Sequence, residues 1–580
     1  MGNEKRIVAE RTFASSDGTE LFYRHWRGKG ERAIVLFHRG HEHSGRLQDV
    51  VDSLGLPEYD CFAWDARGLG RSPGVRGFAE HFGVFLKDAD CFVRHISARH
   101  NIAATDMAVV AQSVGAVIAA AWVHDYAPDI RCLVLASPAL KVKLYVPFAR
   151  QLIALKQRFK PGGFVNSYVK AKYLTHDEAR IASYNSDPLI TRPIAENILV
   201  ELYEVAERLV EDATAITTPT QLLVSGSDWV VHQEPMKQLF RNLGSASKEY
   251  HEFPGFFHDT LGEKDRHLPL ARAREFIERH FAAPFVPSDL ARADKQGFTY
   301  VESEMLMASL EPLSLKWIFY GLTRLNIRLC SHISTGLKLG IDTGFDSGST
   351  LDYVYENRPR GKGPIGRFVD KTYLESIGWR GIRIRKQHIE LLIAKAAALL
   401  REKGLQVRIM DIAAGHGRYI LDAAANVKAD SVLLRDYSDL NVTAGRALIA
   451  GRGLGNIAQF ISGDAFDTGS LAAVTPNPTL AVVSGLYELF ADNALIRASL
   501  SGISQAVRTG GFLVYTNQPW HPQLELIART LTSHRQHQSW VMRRRTQREM
   551  DQLVAEAGFE KVDQYSDRWG IFSVSLARRR

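Results

Sequence analysis

Residues 109–117 read VVAQSVGAV, with an apolar run before them and an Ala-rich segment of helical character after them. A serine on a sharp strand-to-helix turn, spelled G-x-S-x-G, presents its hydroxyl as a nucleophile. The residues two before and two after it must be small, because strand and helix backbones crowd there. Here Gly115 keeps one of those positions and Ala111 adds one methyl at the other. Taken alone, the pentapeptide fits a nucleophile elbow and an ordinary buried serine in a βα turn equally well.

The residues further out separate the two. An acid and then a histidine should follow later strands. LLVSGSDWVVH (222–232) puts Asp228 just past a strand, and FPGFFHDTLGEKDR (253–266) puts His258 in a loop 30 residues on. A serine hydroxyl is a weak nucleophile. His258 would take its proton, and Asp228 would hold the imidazole tautomer and stabilise the imidazolium. Acyl transfer also needs two N–H donors at the developing oxyanion. Val114, after the serine, would supply one, and Gly40, in the loop HRGHEHSGR (38–46), the other.

With these residues in place, 8–283 resembles the monoacylglycerol lipase and lysophospholipase branch of the α/β-hydrolases, the serine aminopeptidase S33 type. That branch carries H-G-x-G-E-H-S-x-R-Y, read here as HRGHEHSGRL, and D-x-R-G-H-G-x-S, read here within DARGLGRSPGVRG (65–77). Its helical cap carries a stretch like LTHDEARIASYNSDPL (174–189), which falls in a helix-rich insertion at about 141–215. Arg39 and His41 replace glycines, and Arg39 bears on the substrate more than on the chemistry. The resemblance implies cleavage of a carboxylic ester through an acyl-serine, on a lipid-type acylglycerol or lysophospholipid.

Short strand-like segments alternating with helices support that fold: AIVLF, CFAW, MAVVAQS, CLVLAS and TQLLVSG form the pattern of a parallel sheet with crossover helices. At 580 residues the chain exceeds one ordinary domain. Its 45% hydrophobic and 23% charged content is that of a folded protein, and a net charge of +8 permits anionic partners without arguing for them. Four scattered cysteines suggest neither a zinc site nor a disulfide framework. The N-terminus is charged where a signal peptide would be apolar, and no window is apolar for long enough to span a bilayer. The expected location is the cytoplasm, with peripheral contact at the inner membrane as a further option.

A second alternation starts at about 380, with VRIMDIA, SVLLRDY, AQFISGD, LAVVSG and GFLVYT as strands. VRIMDIAAGHGRYILDAA (407–424) is a strand, a glycine turn and a helix. Gly415 and Gly417 lack the third glycine of a nicotinamide-binding turn, and Asp411 ends the strand. This D-x-x-x-G-x-G resembles motif I of class I methyltransferases, with Ala413 in place of the first glycine. The resemblance implies S-adenosylmethionine as cofactor and no metal. It also implies that Asp436 faces the ribose hydroxyls and Asp464 the adenine. The N/D-P-P-Y/F motif of nucleic-acid methyltransferases is absent at Ser484–Tyr487. With no strong basic stripe either, nucleic acid is not expected as a partner. Tyr487, Glu488 and His521 are candidates for the acceptor side, and each is equally open to a structural role.

The expected architecture is two α/β domains: an α/β-hydrolase over 8–283 and a Rossmann-like class I methyltransferase over 361–580. Residues 284–360 are read as a linker with an amphipathic helix. In LSLKWIFYGLTRLNIRL (313–329), apolar residues fall at 315, 318, 319, 322, 325 and 329, with Lys316, Arg324 and Arg328 off that face. Such a helix either lies on an anionic membrane or packs between domains, and the second is the commoner use. The basic runs MRRRTQR and ARRR are expected to be solvated. Fusion points to a bifunctional enzyme acting on small-molecule or lipid substrates. The alternative is a methyltransferase whose hydrolase-like half is a non-catalytic module.

Overall fold

The structure, a computed structural model, describes residues 5–145, 148–167, 169–535 and 538–580. Contacts divide the chain into two compact units, Met1–Ser288 and Asp289–Arg580.

The first unit is built on an eight-stranded sheet. Its strands are β1 (Val8–Ala14), β2 (Glu20–Trp26), β3 (Arg32–Phe37), β4 (Tyr59–Trp64), β5 (Met107–Gln112) and β6 (Cys132–Ala136), then β9 (Thr220–Ser225) and β10 (Lys248–Phe253). The order is β1-β2-β4-β3-β5-β6-β9-β10. β2 runs antiparallel to β1 and β4, and the remaining pairs are parallel. β5 and β6 lie mid-sheet and are buried at every position, which explains their unbroken apolar spelling. This is the α/β-hydrolase fold. Between β6 and β9 lies the cap, with helices Ala149–Phe159, Glu178–Ser186 and Glu196–Glu211. The insertion is not purely helical, since a short antiparallel ribbon joins β7 (Phe164–Asn166) to β8 (Pro193–Ala195).

The second unit has β11 (Arg408–Asp411), β12 (Ser431–Asp436), β13 (Ala458–Ser462), β14 (Leu480–Val483), β15 (Phe512–Asn517), β16 (Phe559–Ser566) and β17 (Ser573–Arg579). The order is β13-β12-β11-β14-β15-β17-β16, with β17 antiparallel to both neighbours. The switch point between β11 and β14 opens a crevice at the carboxyl ends of these strands. Ile389, Leu392 and Ile393 of helix Ile377–Glu402 cover one face, and Ile496, Leu500 and Ile503 of Asn493–Ala506 cover the other. This is a Rossmann-like α/β domain.

The segment read as a linker is different in kind. Within 284–360 lie four helices, Phe298–Met307, Leu315–Cys330, Thr335–Thr343 and Gly348–Glu356, and Gly363–Leu374 follows, all within the second unit. In Leu315–Cys330 the apolar face read from sequence is turned outward. Leu315 is 87% exposed and Leu322 62%, and Tyr320 alone in that helix is buried. Among the described residues no helix is long and apolar enough to cross a membrane.

Candidate active sites

Ser113 sits between β5 and helix Val114–Tyr126 at φ 57° and ψ −121°. That backbone is strained for a side-chain-bearing residue and persists only where its surroundings fix it. The Ser113 N–H donates to the Ala136 carbonyl at 3.0 Å. A Cβ on Gly115 would strike the His38 carbonyl oxygen, so glycine is required by close approach. Ala111 pairs with Phe37 in register and is fully buried. The core has room for its methyl, which is why this departure from the expected spelling leaves the turn intact.

The three separated residues converge. Ser113 Oγ lies 2.7 Å from His258 Nε2, and His258 Nδ1 lies 2.7 Å from Asp228 Oδ2. Asp228 Oδ1 accepts from the N–H groups of Val230 and Val231 at 2.7 and 2.9 Å. Burial opposes ionisation of Asp228, but His258 and these two donors outweigh it and hold the carboxyl below its ordinary range. An ionised Asp228 orders the neutral imidazole with its proton on Nδ1 and leaves Nε2 free to take the serine proton.

The Gly40 loop lies against Val114, since a Cβ on Gly40 would come 3.0 Å from the Val114 side chain. His41 adopts φ 71°, a conformation easier for the glycine it replaces, and is tied to the cap. Its Nδ1 meets the Thr191 carbonyl at 2.6 Å, and its own carbonyl accepts from the Thr191 N–H at 2.9 Å. Arg39 turns into a buried ionic network. It bonds Glu42 twice, at 3.0 and 2.6 Å, and reaches Asp259 Oδ2 at 3.3 Å. Arg46 joins Glu42 at 2.8 Å, and Arg180 of the cap joins Asp259 at 3.0 Å. Burial opposes every one of these charges. The arginines nonetheless hold Glu42 and Asp259 ionised below the usual carboxylate range. The sequence could show Arg39 but not its direction, because its partners lie 3 and 220 positions away.

His25, Asp60 and His100 could hold a cation, with ligand atoms within 4.8 Å of one another. Asp60 is the second residue of β4, at the opposite end of the parallel strands from Ser113, and is already bonded to His25 at 3.0 Å.

In the second unit a cavity of about 920 Å³ opens over the carboxyl ends of β11 and β12. Ala413, Gly415, Gly417, Asp436 and Asp464 line it, as do Ser484 and Gly485. Gly415 and Gly417 take φ 58° and 78°. Asp436 Oδ2 accepts the Gly415 N–H at 2.9 Å, while Oδ1 takes Ser438 N–H and Asn441 Nδ2 at 3.0 Å each. A carboxylate has about four acceptor sites, so ribose hydroxyls can still be received. Ser484 Oγ on this wall is buried with no hydrogen-bond partner. The bent glycine turn, the paired acids and the orphaned hydroxyl fit an adenosine-bearing ligand.

Asp411, expected among the cofactor contacts, does not line this cavity. It is fully buried beneath the turn, accepting from the Ala413 N–H at 3.1 Å and from the Tyr419 hydroxyl. Burial, with nearby Asp436 adding to it, pushes its pKa up to about 7 against those two hydrogen bonds. Asp411 therefore shapes the turn from below.

Two further expectations are corrected. The 343–355 stretch, read as linker, supplies Thr343, Ser347, Gly348, Asp352 and Tyr355 to the cavity wall. The signal available for it was the Ser-capped helix starts, Ser334 and Ser347. The basic run is not solvated, since Arg543, Arg544 and Arg545 are 2–5% exposed. Arg545 donates to the carbonyls of Tyr487 and Phe490 at 2.6 Å and to Asn493 Oδ1 at 2.8 Å. Of the acceptor-side candidates, Tyr487 is buried against Ser499, whereas Glu488 and His521 line a second cavity.

Fold and geometry together define a hydrolase domain joined to a methyltransferase-like domain. Residues 273–579 match the family described as "Putative methyltransferase", and residues 28–265 match "Serine aminopeptidase, S33". The chain belongs to the former family, and its first half is a hydrolase domain of the latter type. It is 53% identical over 579 residues to "Uncharacterized protein YnbC" of Escherichia coli (strain K12), covering 99% of each chain. It is 25% identical over 281 residues to a monoacylglycerol lipase of Mycolicibacterium smegmatis, covering 47% of this chain and 98% of that one. The crystal structure of Paleococcus ferrophilus monoacylglycerol lipase matches at 24% identity and a TM-score of 0.42, covering 45% of this chain and 99% of that one.

Proposed function

We propose that this chain is a bifunctional enzyme. Its first unit cleaves a carboxylic ester, an acylglycerol or lysophospholipid, through an acyl-serine on Ser113. Its second unit transfers a methyl group from S-adenosylmethionine. The observation that carries the first half is the unbroken relay from Ser113 Oγ through His258 to Asp228. His258 Nε2 takes the serine proton as Oγ attacks and returns it to the leaving alcohol, while Asp228 stabilises the imidazolium. The N–H groups of Gly40 and Val114 are assigned to the developing oxyanion. The monoacylglycerol lipases among the relatives favour the lipid-type substrate.

For the second half, S-adenosylmethionine supplies an electrophilic methyl group when bound. Asp436 is assigned to the ribose, Asp464 to the adenine, and Gly415 and Gly417 to close approach of the ligand. Proximity and alignment are the main contribution of such a site.

Fatty-acid release from monoacylglycerol and lysophosphatidylcholine, compared for the full chain and Ser113→Ala, tests the first half. Release by wild type alone is expected, and equal release contradicts it. Calorimetry with S-adenosylhomocysteine tests the second. Asp436→Ala should bind at least tenfold more weakly, and unchanged affinity contradicts the assignment. The outward apolar face of Leu315–Cys330, with Arg328 in its last turn, supports contact with an anionic lipid surface, while Lys316 and Arg324 bond Glu525 and the Arg529 carbonyl. Co-sedimentation with phosphatidylglycerol vesicles should drop for Leu322→Glu, and equal binding contradicts it.

A further inference from the structure

The second cavity of this unit, about 420 Å³, has walls of Ile327, Trp379, Ile382, Trp540, Met542 and Phe572. It shares Asp346, Leu351, Gly485 and Leu489 with the cavity over the glycine turn, so the two spaces adjoin along these residues. Helices Leu315–Cys330 and Gly363–Leu374 contribute to its lining, among them Phe368, which is 71% exposed. Its entrance therefore adjoins exposed apolar surface.

Polar groups are few, and four buried polar atoms on the lining residues lack a hydrogen-bond partner: the potential donors Arg385 Nε, Tyr373 Oη and Trp540 Nε1, and one charged acceptor, on Glu488. Glu488 is 6% exposed; its Oε1 accepts from Arg385 Nη1 at 3.2 Å, and its Oε2 has no hydrogen-bond partner. A buried carboxylate oxygen without a donor costs free energy that a bound donor would recover. Arg385 and Glu488 neutralise each other, so the wall has no surplus positive charge to attract an anion. His521 accepts the Gln523 N–H at Nδ1, and burial alone lowers its pKa to about 4, leaving the ring neutral.

We propose that this cavity is the methyl-acceptor site, and that it takes an apolar amphiphile whose reacting atom is a hydroxyl or uncharged amine held by Glu488 Oε2. The inference rests on the methyltransferase reading above. The acceptor lone pair forms the bond to the methyl carbon as the carbon–sulfur bond breaks, its electron pair passing to sulfur. The acceptor proton passes to the Glu488 carboxylate, and the products are the methylated amphiphile and S-adenosylhomocysteine.

Trp379 and Trp540, stacked with ring centroids 6.3 Å apart, give a readout independent of turnover. The full chain, saturated with S-adenosylhomocysteine, is titrated with 1-decanol, 1-methoxydecane and decanoate while tryptophan emission is followed. Decanol should shift the emission and bind at least tenfold more tightly than the ether or the carboxylate. Glu488→Gln should reduce that preference severalfold, because an amide is a weaker acceptor than a carboxylate. Phe368→Glu, a change at an exposed position, should weaken decanol binding at least tenfold with S-adenosylhomocysteine affinity unchanged. No response to decanol while S-adenosylhomocysteine binds overturns this inference alone, as does tighter binding of decanoate. Failure to bind S-adenosylhomocysteine removes the methyltransferase reading and this inference with it.

Discussion

Arg39 and Asp259 meet at 3.3 Å inside the first unit, one residue before Gly40 and one residue after His258. Their contact joins the loop assigned to the oxyanion to the loop of the proton-transfer histidine. Arg180 of the cap completes the bond from the other side. Arg39→Met leaves Glu42 and Asp259 short of a buried cation, and removing one member of such a network costs about 3–5 kcal/mol. The variant should unfold at a correspondingly lower denaturant concentration. Glu42 and Asp259 have folded pKa values below their unfolded ones, so this stabilisation is complete above the ordinary carboxylate range and is lost as pH falls below that range through the lower folded values. The gap between wild type and variant should therefore narrow in acid, and a gap independent of pH would argue against an ionic network.

The elbow gives a paired expectation. Gly115→Ala drives a methyl into the His38 carbonyl and should abolish both soluble expression and probe labelling. Ala111→Gly removes one buried methyl and should cost about 1 kcal/mol while labelling persists. Labelling that survives in both variants would mean the turn is looser than its geometry indicates.

Asp411 predicts a pH effect of the opposite sign. Folded, it holds a proton up to about pH 7, against an ordinary value of 3.8. Its contribution is thus complete below the ordinary value and is lost as pH rises through 7. Asp411→Asn cannot titrate, so the variant should gain relative to wild type as pH rises from about 4 to about 7 and keep a constant lead above that. The thermal transition that S-adenosylhomocysteine shifts is the one to follow, and parallel curves would contradict this assignment.

Arg545→Met should destabilise the second unit by about 3 kcal/mol or more, since it strips donors from the carbonyls of Tyr487, Phe490 and Ala491 and from Asn493 Oδ1. Hydrogen exchange should show the 487–493 segment opening first. An unaltered exchange pattern would show that Arg545 is dispensable there.

Much of this was legible in the sequence because it is local. The order of Ser113, Asp228 and His258, each past a strand, and the turn of Gly415 and Gly417 follow from spacing and strand pattern. What was not legible depends on distant partners. The direction of Arg39 is set by Asp259, and the burial of Arg543–Arg545 by Glu549, Glu302 and Asn493. The helices of 298–356 lie in the 284–360 stretch that reads as a linker, since no strand-and-helix alternation marks it, yet Ser347 to Tyr355 wall the cavity over Gly415. Asp411 was read as a ligand contact from its position in the motif, and only its depth shows that it supports the turn instead.

The central claim is that Ser113 is a working nucleophile, and labelling by a fluorophosphonate probe tests it most directly. The full chain should incorporate one probe, located on Ser113 by peptide mass spectrometry, and Ser113→Ala should incorporate none. Equal labelling of both proteins, or none of wild type, would contradict it and leave the first unit as a non-catalytic module.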